Sequence, residues 1–245
     1  MTKIEQKTLD KLAEFDSPTI SNVIELFEIV PRDAGYMNAD IQCNYPHMPP
    51  MVGFASTAGF RSSGTASGGG GYGSLRGQLE TFADLPGPPV IVFQDLDKPS
   101  VAATFGEMMC STYQAFGAAG LITSGGGRDL LQVEAMGFPV FTGSTLVSHG
   151  YHQILHIGQS VHVGGLVVSQ GDLLHGDANG VTRIPLEIAN EVGDVAQEYM
   201  DAEAFIMNYV TGAGEKTIED FAAAQDEFKE ALQKLRKRVG RGLVT

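Results

Sequence analysis

Apolar side chains recur at two different spacings along this chain. In some segments they return every three or four residues, as on one face of a helix, and other segments are short, compact apolar runs typical of buried strands. The helical spacing predicts helices at 3–15, 18–28, 74–83, 104–116, 129–136, 186–208 and from 217 onward. The compact runs predict strands at 51–60, 90–93, 119–123 and 139–142.

Strands and helices alternate between residues 90 and 142, and this order favours βαβ units with parallel strands. After residue 150 the pattern changes. VHVGGLVV (161–168) turns on a Gly-Gly pair, and GDLLHGDANGV (171–181) contains two further turns, so antiparallel hairpins are predicted there. The chain has no internal repeat and no linker long enough to divide it. We therefore predict one α/β domain spanning residues 1–245.

The chain is strongly acidic, and its charges are unevenly distributed. It carries 16 Lys and Arg against 29 Asp and Glu, a formal net charge of −13. Because such a surface repels a phosphate backbone, nucleic acid is excluded as a partner. The basic cluster at 234–238 lies in the last turns of the final predicted helix, where cations complement the helix dipole. Residues 41–186 hold only 14 charged side chains, so an ion pair there needs a reason.

Cysteine usage and hydropathy indicate the compartment. Cys43 and Cys110 are far apart and form no C-x-x-C motif, so they predict neither a disulfide framework nor a zinc site. No apolar run approaches the roughly 18 residues that span a bilayer. The N-terminal segment MTKIEQKTLDKL has no apolar signal core. We therefore predict a cytoplasmic protein without a membrane partner.

The glycine run at 64–73 contains the spacing G-x-G-x-x-G, with Asp95 about 20 residues further on. In a dinucleotide-binding fingerprint the first glycine directly follows a strand. Here residues 61–67 separate the pattern from the predicted strand end at Phe60, and four consecutive glycines satisfy almost any glycine pattern. The context therefore favours a surface loop, bordering a site or not, over a dinucleotide site.

Three histidines, His149, His152 and His156, have helical spacing, which suggests metal ligands. However, Gly150 interrupts the segment, and 154–163 has the pattern of a strand, on which the three side chains do not converge. We expect no three-histidine metal site, but at least one of these histidines near a pocket.

The most informative constellation pairs Gly106-Glu107 with Arg128-Asp129. The first pair falls in the first turn of a predicted helix, where free backbone N–H groups favour a bound anion such as a carboxylate. The second pair follows a predicted strand, and ligands of open α/β sheets bind at the carboxyl ends of strands. Together the residues offer a guanidinium for an anion and two carboxylates for a hard divalent cation. The residue types leave open a structural alternative, an Arg–Asp pair that caps the helix at 129–136.

At these residues the sequence resembles the RraA-like family, which includes class II 4-hydroxy-4-methyl-2-oxoglutarate aldolases and the regulator of ribonuclease E activity. The resemblance covers about residues 16–190, and a helical extension follows at about 187–240. It is carried by DSPTISNVIELF (16–27), GEMMCSTYQAFGAAGLITSGGGRD (106–129), EAMGFPVF (134–141), VHVGGLVV (161–168) and GDLLHGDANGV (171–181). It implies an αββα sandwich of the swivelling β/β/α type, assembled as a homotrimer or hexamer.

The resemblance also implies residue roles. The substrate-binding stretch falls on Gly106, Glu107, Met108 and Met109, together with the enolate-stabilising Arg128. The metal ligand falls on Asp129, with Mg²⁺ or Mn²⁺ as the ion, and the acid that activates a metal-bound water falls on Glu107. The sequence departs from the family pattern at Gln132, where an acid is usual.

The implied function is a divalent-metal-dependent lyase that cleaves C–C bonds of small 2-oxo acids through a pyruvate enolate. Such chemistry includes cleavage of 4-hydroxy-4-methyl-2-oxoglutarate and decarboxylation of oxaloacetate. The alternative is a non-catalytic protein-binding regulator, like the ribonuclease E inhibitor branch. Glu107 favours the enzyme, because a pure binder needs no acid beside Arg128-Asp129, whereas Gln132 weakly favours the regulator.

Overall fold

The computed structural model describes residues 4–64 and 73–242. Its helices are α1 (Gln6–Leu12), α2 (Ser17–Leu26), α3 (Gly73–Glu80), α4 (Glu107–Ala115), α5 (Leu130–Ala135), α6 (Ala189–Thr211) and α7 (Ile218–Val239), with a 3-10 turn at Thr81–Asp84. Its strands are β1 (Gln42–Cys43), β2 (Met51–Arg61), β3 (Pro89–Asp95), β4 (Ala103–Phe105), β5 (Gly120–Gly127), β6 (Val140–Thr145), β7 (Gln153–Leu155), β8 (Val161–Val163), β9 (Leu166–Val168), β10 (Leu173–Asp177) and β11 (Gly180–Ile184). The glycine pattern weighed for dinucleotide binding lies almost entirely outside these residues.

One mixed sheet organises the described residues. Its strand order is β1-β6-β5-β3-β2-β10-β11, with β4 added along the end of β5 and β7 along the end of β2. The strands β3, β5 and β6 are parallel, as the βαβ pattern of residues 90–142 predicted, and β2 is parallel to β3. The hairpins β8–β9 and β10–β11 are antiparallel, which confirms the second prediction. The parallel strands therefore end at a common edge of the sheet.

Alternate residues of the parallel strands face two separate apolar layers. Ile91 and Leu121 pack with buried side chains of α4 and α5. Their neighbours Val90 and Ile122 face the opposite way and pack against the β8–β9 hairpin. This period of two is the geometry of a strand buried on both faces. A third cluster joins α1, α2, α6 and α7 to β2 and β10.

Two predicted boundaries are wrong in an informative way. Residues 104 and 105 were predicted as the start of a helix, but they belong to β4, which pairs in parallel with the end of β5. The strand predicted over 154–163 is instead two short strands, β7 and β8, separated by a turn in which His156 has a φ of 52°. Helical spacing of apolar residues across 104–116 hid a three-residue strand, which is too short to show its own period.

No helix among residues 4–64 and 73–242 combines the length and the hydropathy that crossing a membrane requires.

A buried histidine ties α1, α2 and β10 together. Nε2 of His175 donates to the carbonyl of Leu12, 3.1 Å away, at the end of α1. Its Nδ1 is then the acceptor, and the hydroxyl of Ser17, the first residue of α2, donates to it over 2.9 Å. Burial is the main cause that lowers the pKa of His175 below its usual 6.5. The fold therefore favours the neutral imidazole.

This tie predicts an acid-sensitive component of stability. Because the folded state lowers the pKa of His175, protonation favours unfolding, and the stability held by the neutral ring is lost as the pH falls below about 6.5. Urea unfolding at pH 7.5 and 5.5 measures the free energy of unfolding at each pH. Its decrease from pH 7.5 to pH 5.5 should be smaller for His175→Gln than for the wild type. His175→Gln should also cost about 1–3 kcal/mol at pH 7.5, through the unsatisfied buried groups. Substitution of the exposed His149 by Gln is the control. The same decrease in unfolding free energy in the wild type and both variants would contradict the prediction.

Candidate active site

Two neighbouring strand ends carry the residues singled out in the sequence. β4 ends at Phe105, Gly106 is the N-cap of α4, and Glu107 is the first residue of that helix. β5 ends at Gly127, and Arg128 and Asp129 connect it to α5. Because β4 and β5 are parallel neighbours, both connections leave the sheet at the same edge.

Hydrogen bonds join the two connections directly. The backbone N–H of Glu107 donates to Oδ2 of Asp129 over 3.0 Å. The backbone N–H of Arg128 donates to the carbonyl of Phe105 over 3.2 Å. Nε of Arg128 lies 3.9 Å from the same Oδ2. The protein's own carboxylate therefore takes part of the anion position predicted at the start of α4.

The geometry of Asp129 speaks against the structural alternative. Asp129 is the N-cap residue of α5, but its side chain makes no capping hydrogen bond to that helix. Its φ of 55° places it in the left-handed region, which costs free energy for a residue other than glycine. This backbone conformation accompanies a side chain turned away from α5 and toward the start of α4. The side chain of Asp129 therefore does not cap its own helix, although the residue occupies the N-cap position.

Gly106 is required by the closeness of these groups. A Cβ atom built on it would lie 2.5 Å from Oδ2 of Asp129 and 2.9 Å from Nε of Arg128. Its φ of −150° is extended backbone, which any residue adopts, so the restriction is one of space alone. The Gly-acid pair of the motif thus lets the start of α4 lie against the Arg-Asp pair.

The two methionines of the predicted substrate-binding stretch differ. Met108 is 58% exposed, whereas the side chain of Met109 is buried in the core beside α5. Met109 can therefore meet a ligand only through its backbone. The N–H groups of the first turn of a helix have no carbonyl partner within it, so those of Met108 and Met109 are available donors. Gln132, at the position of the usual acid, is exposed on α5.

His152, one of the three histidines whose spacing suggested metal ligands, lies against β4. His152 is 6% exposed, and its Nε2 donates to the carbonyl of Thr104 in β4 over 3.0 Å. His149 is exposed instead, and its Nδ1 bonds Gly150 O. Among the described residues, no group of three His, Cys, Asp or Glu lies close enough to hold a metal ion. The sequence feature that could have pointed to His152 is its position next to a strand, rather than its spacing from the other histidines.

A cavity of about 690 Å³ lies apart from Glu107, Arg128 and Asp129. Its walls include the loop at 38–42, Lys98, Ser124 and His162. Asp95 also borders it but is only 2% exposed, and its Oδ1 accepts from the N–H of Asp97. Burial raises the pKa of Asp95. The residues of the candidate site thus lie on an open edge rather than in this cavity.

The comparison with protein families decides the relationship. The sequence model of the RraA-like family, described as Aldolase/RraA, matches residues 20–183 of the 245. The chain belongs to the RraA-like family. The matched range contains both halves of the candidate site.

Relatives agree with this membership. A curated protein of Halalkalibacterium halodurans, whose name assigns it provisionally as a 4-hydroxy-4-methyl-2-oxoglutarate aldolase, is 32% identical over 101 residues. The match covers 41% of this RraA-like chain and 47% of that protein. The chain spans about half the length of the curated relatives that it matches.

Solved structures show the same fold. An uncharacterized protein from Pseudomonas syringae pv. tomato superposes with a TM-score of 0.70 and 20% identity, over 92% of this chain and 95% of that one. RraAS2 of Streptomyces coelicolor, described as an unusual member of the RNase ES inhibitor RraA protein family, superposes with a TM-score of 0.66 and 20% identity, over 84% and 98%. At these identities the likeness shows the fold alone, and it confirms the predicted RraA-like α/β sandwich.

The tight packing at Gly106 makes a testable prediction. Gly106→Ala should push the Asp129 carboxylate off the Glu107 N–H and cost about 1 kcal/mol of stability through the lost charge-assisted hydrogen bond. In an Asp129→Ala background the same change should cost less, because one of the two clashing groups is absent. Urea unfolding of the four proteins measures this coupling. Strictly additive costs would show that Gly106 and Asp129 do not compete for space.

Proposed function

We propose that this protein is a divalent-metal-dependent lyase that cleaves C–C bonds of small 2-oxo acids through a pyruvate enolate. The supporting observation is that Asp129 accepts from the Glu107 N–H and lies near Arg128 at one sheet edge, beside the Met108 and Met109 N–H groups of the first turn of α4. The proposed reactions are cleavage of 4-hydroxy-4-methyl-2-oxoglutarate into two pyruvates and decarboxylation of oxaloacetate. The family membership and the provisionally assigned aldolase relative support this class of reaction.

Substrate binding uses the start of α4. The backbone N–H groups of Met108 and Met109, with the positive end of the helix dipole, bind the carboxylate next to the keto group. Arg128 is about one third exposed, and its Nε lies 3.9 Å from Oδ2 of Asp129. Its terminal nitrogens can therefore bind the keto oxygen and neutralise the charge that develops there as the enolate forms.

Proton transfer is assigned to Glu107. Its carboxylate is exposed at the first position of α4, where it can exchange protons with a substrate and with water. In the aldol cleavage it takes the proton of the 4-hydroxyl group while the C3–C4 bond breaks. The bond electrons move to C3 as the enolate of one pyruvate, and the 4-hydroxyl carbon becomes the keto carbon of the other. The same carboxyl group then returns the proton to C3.

The residues present fit a hydrated Mg²⁺ or Mn²⁺ ion, with Asp129 as its protein ligand. The hydrogen bond from the Glu107 N–H and the approach of Arg128 Nε both fall on Oδ2 of Asp129, so Oδ1 is the oxygen proposed to bind a cation. A single carboxylate is sufficient, since Mg²⁺ keeps several waters and is often bound by one or two carboxylates together with the substrate. A bound divalent ion would supply Lewis acidity that stabilises negative charge on the keto oxygen.

A second candidate is a non-catalytic regulator that binds a protein. The exposed amide of Gln132, where the family usually has an acid, favours it. The aldolase assay below separates the two candidates, because a pure binder forms no pyruvate.

The lyase proposal predicts EDTA-sensitive pyruvate formation. With Mg²⁺ and either substrate, a coupled dehydrogenase assay should detect pyruvate from the wild type. Asp129→Ala, Arg128→Lys and Glu107→Gln should each lower kcat/KM by about 10²-fold or more, since each removes a metal ligand, an anion contact or a proton carrier.

The matched control for these variants is the Arg183–Asp172 pair, which is also partly buried, with a 3.4 Å separation, but lies in the hairpin region. Arg183→Lys and Asp172→Asn should keep wild-type activity. Absence of EDTA-sensitive pyruvate from the wild type, or full activity in Asp129→Ala, would sink the lyase proposal.

We also propose that the protein assembles as a homotrimer or hexamer. Large apolar side chains are exposed on α4, just after it and on α5: Met108 (58%), Phe116 (62%) and Leu131 (77%). Helices α4 and α5 contact each other, and exposed apolar groups on adjoining elements mark interaction surfaces. A second copy of the chain is the occupant that the family suggests.

Light scattering coupled to gel filtration tests this assembly. The mass should be three or six times the 26.0 kDa of one chain, and Leu131→Glu should shift it toward the monomer. Val147→Glu, at a 91% exposed position outside α4 and α5, is the matched control and should leave the mass unchanged. A monomeric wild type would contradict the proposal.

A further inference from the structure

β4 carries the start of α4, yet it is only three residues long and pairs with a neighbouring strand, β5, along one edge. The segment 148–152 covers its other edge. There the N–H of Ala103 donates to the carbonyl of Ser148 over 2.7 Å. The carbonyl of the next residue, Thr104, accepts a hydrogen bond from the side chain of His152 at 3.0 Å. The imidazole thus stands where a neighbouring strand would offer a backbone N–H.

The orientation of the His152 ring is fixed from the other side. The ring packs edge-on against Phe60, with 4.7 Å between centroids, and both side chains are buried. Gln153, the next residue, begins β7, which pairs with the end of β2 and so with the strand that carries Phe60. Because Nε2 faces a carbonyl, it must carry a proton. A rigid part of the sheet therefore holds this donor against β4.

Small movements of β4 act directly on the candidate site. Only Phe105 and Gly106 separate Thr104 from Glu107. The carbonyl of Phe105 accepts from the N–H of Arg128, and the N–H of Glu107 donates to Asp129. At Gly106 there is no space for even a Cβ atom between the two halves of the site. The position of β4 therefore sets the separation of the two halves.

We propose that His152 is a positioning residue of this site, whose Nε2–H bond to the Thr104 carbonyl fixes β4 and thereby the hydrogen bonds of Phe105 to Arg128 and of Glu107 to Asp129. His152 acts through β4 and does not touch the substrate. The consequence for catalysis rests on the proposed lyase function, whereas the consequence for the geometry does not.

The other buried histidine provides a matched control. His175 also donates through Nε2 to a backbone carbonyl, that of Leu12 at 3.1 Å, but it lies in the helical cluster away from β4. Leu at either position removes the donor and leaves a buried carbonyl unsatisfied. Gln at position 152 keeps a donor at about the reach of Nε2, whereas Asn has its amide one bond too short. The set His152→Leu, His152→Asn, His152→Gln and His175→Leu therefore separates positioning from stability.

Hydrogen–deuterium exchange tests the geometry without reference to activity. In His152→Leu and His152→Asn, a peptide covering residues 103–112 should exchange about tenfold faster than in the wild type, because the Glu107 N–H loses its hold on Asp129. His152→Gln should restore most of the protection, and His175→Leu should leave this peptide unchanged. Equal exchange in all variants, or an equal increase in His175→Leu, overturns the proposal. If His152→Leu does not fold, the comparison of Asn with Gln decides.

Ligand binding and kinetics then test the consequence for the site. Oxalate, a planar analogue of the pyruvate enolate, serves as the probe in the presence of Mg²⁺. Its Kd, and the KM for oxaloacetate, should rise about tenfold or more in His152→Asn and return toward the wild-type values in His152→Gln. Unchanged Kd and KM in a variant with altered exchange overturn the positioning role in the site. A wild type that forms no pyruvate overturns the lyase function instead, while the exchange experiment still judges the position of β4.

Discussion

The candidate site depends on one contact, the hydrogen bond between the first N–H of α4 and the carboxylate of Asp129. This bond closes the gap between two connections that are 22 residues apart in sequence. It requires a glycine at the N-cap, a parallel β4 beside β5, and an aspartate in the left-handed conformation. Taken alone, each of these features either costs free energy or does not indicate a functional site. Together they make sense because each removes an obstacle to the same close approach.

This contact also shapes the electrostatics of the site. A carboxylate at the start of a helix is stabilised by the unpaired N–H groups and the dipole, and here it also lies near a guanidinium. An anionic substrate of the proposed lyase would share this positive region with Asp129. In a chain with a net charge of −13, the start of α4 and Arg128 are local sources of positive potential, to which the proposed divalent cation would add. The scarcity of charges in residues 41–186 strengthens the effect, because few other charges oppose or screen it.

The sequence predicted the parts of this arrangement that follow from periodicity and from residue type. The sequence predicted strand β5 and helix α4. It also predicted that the pair at the start of α4 and the pair after β5 lie at one sheet edge, as βαβ order requires. β4 was missed, because three residues cannot display a strand period against the helical spacing that follows. His152 was not assigned a role, because its partner Thr104 lies 48 residues away and belongs to the missed strand. Contacts between distant segments leave no local sequence pattern, so only the three-dimensional structure reveals the residues that make them.

The glycines before Arg128 are required by strand packing rather than by a phosphate-binding loop. A glycine run suggests a loop around a phosphate, but Gly125, Gly126 and Gly127 lie inside β5, and Gly126 and Gly127 pair with the neighbouring strands β4 and β6. A Cβ on Gly127 would lie 2.4 Å from the ring of Phe105, and one on Gly125 would lie 2.6 Å from both Asp95 Oδ2 and Thr104 Oγ1. Larger residues would therefore push β4 away from β5 and, with it, Gly106 away from Asp129. The glycines of this motif thus serve strand packing, and through β4 they support the same contact that His152 reaches from the opposite edge.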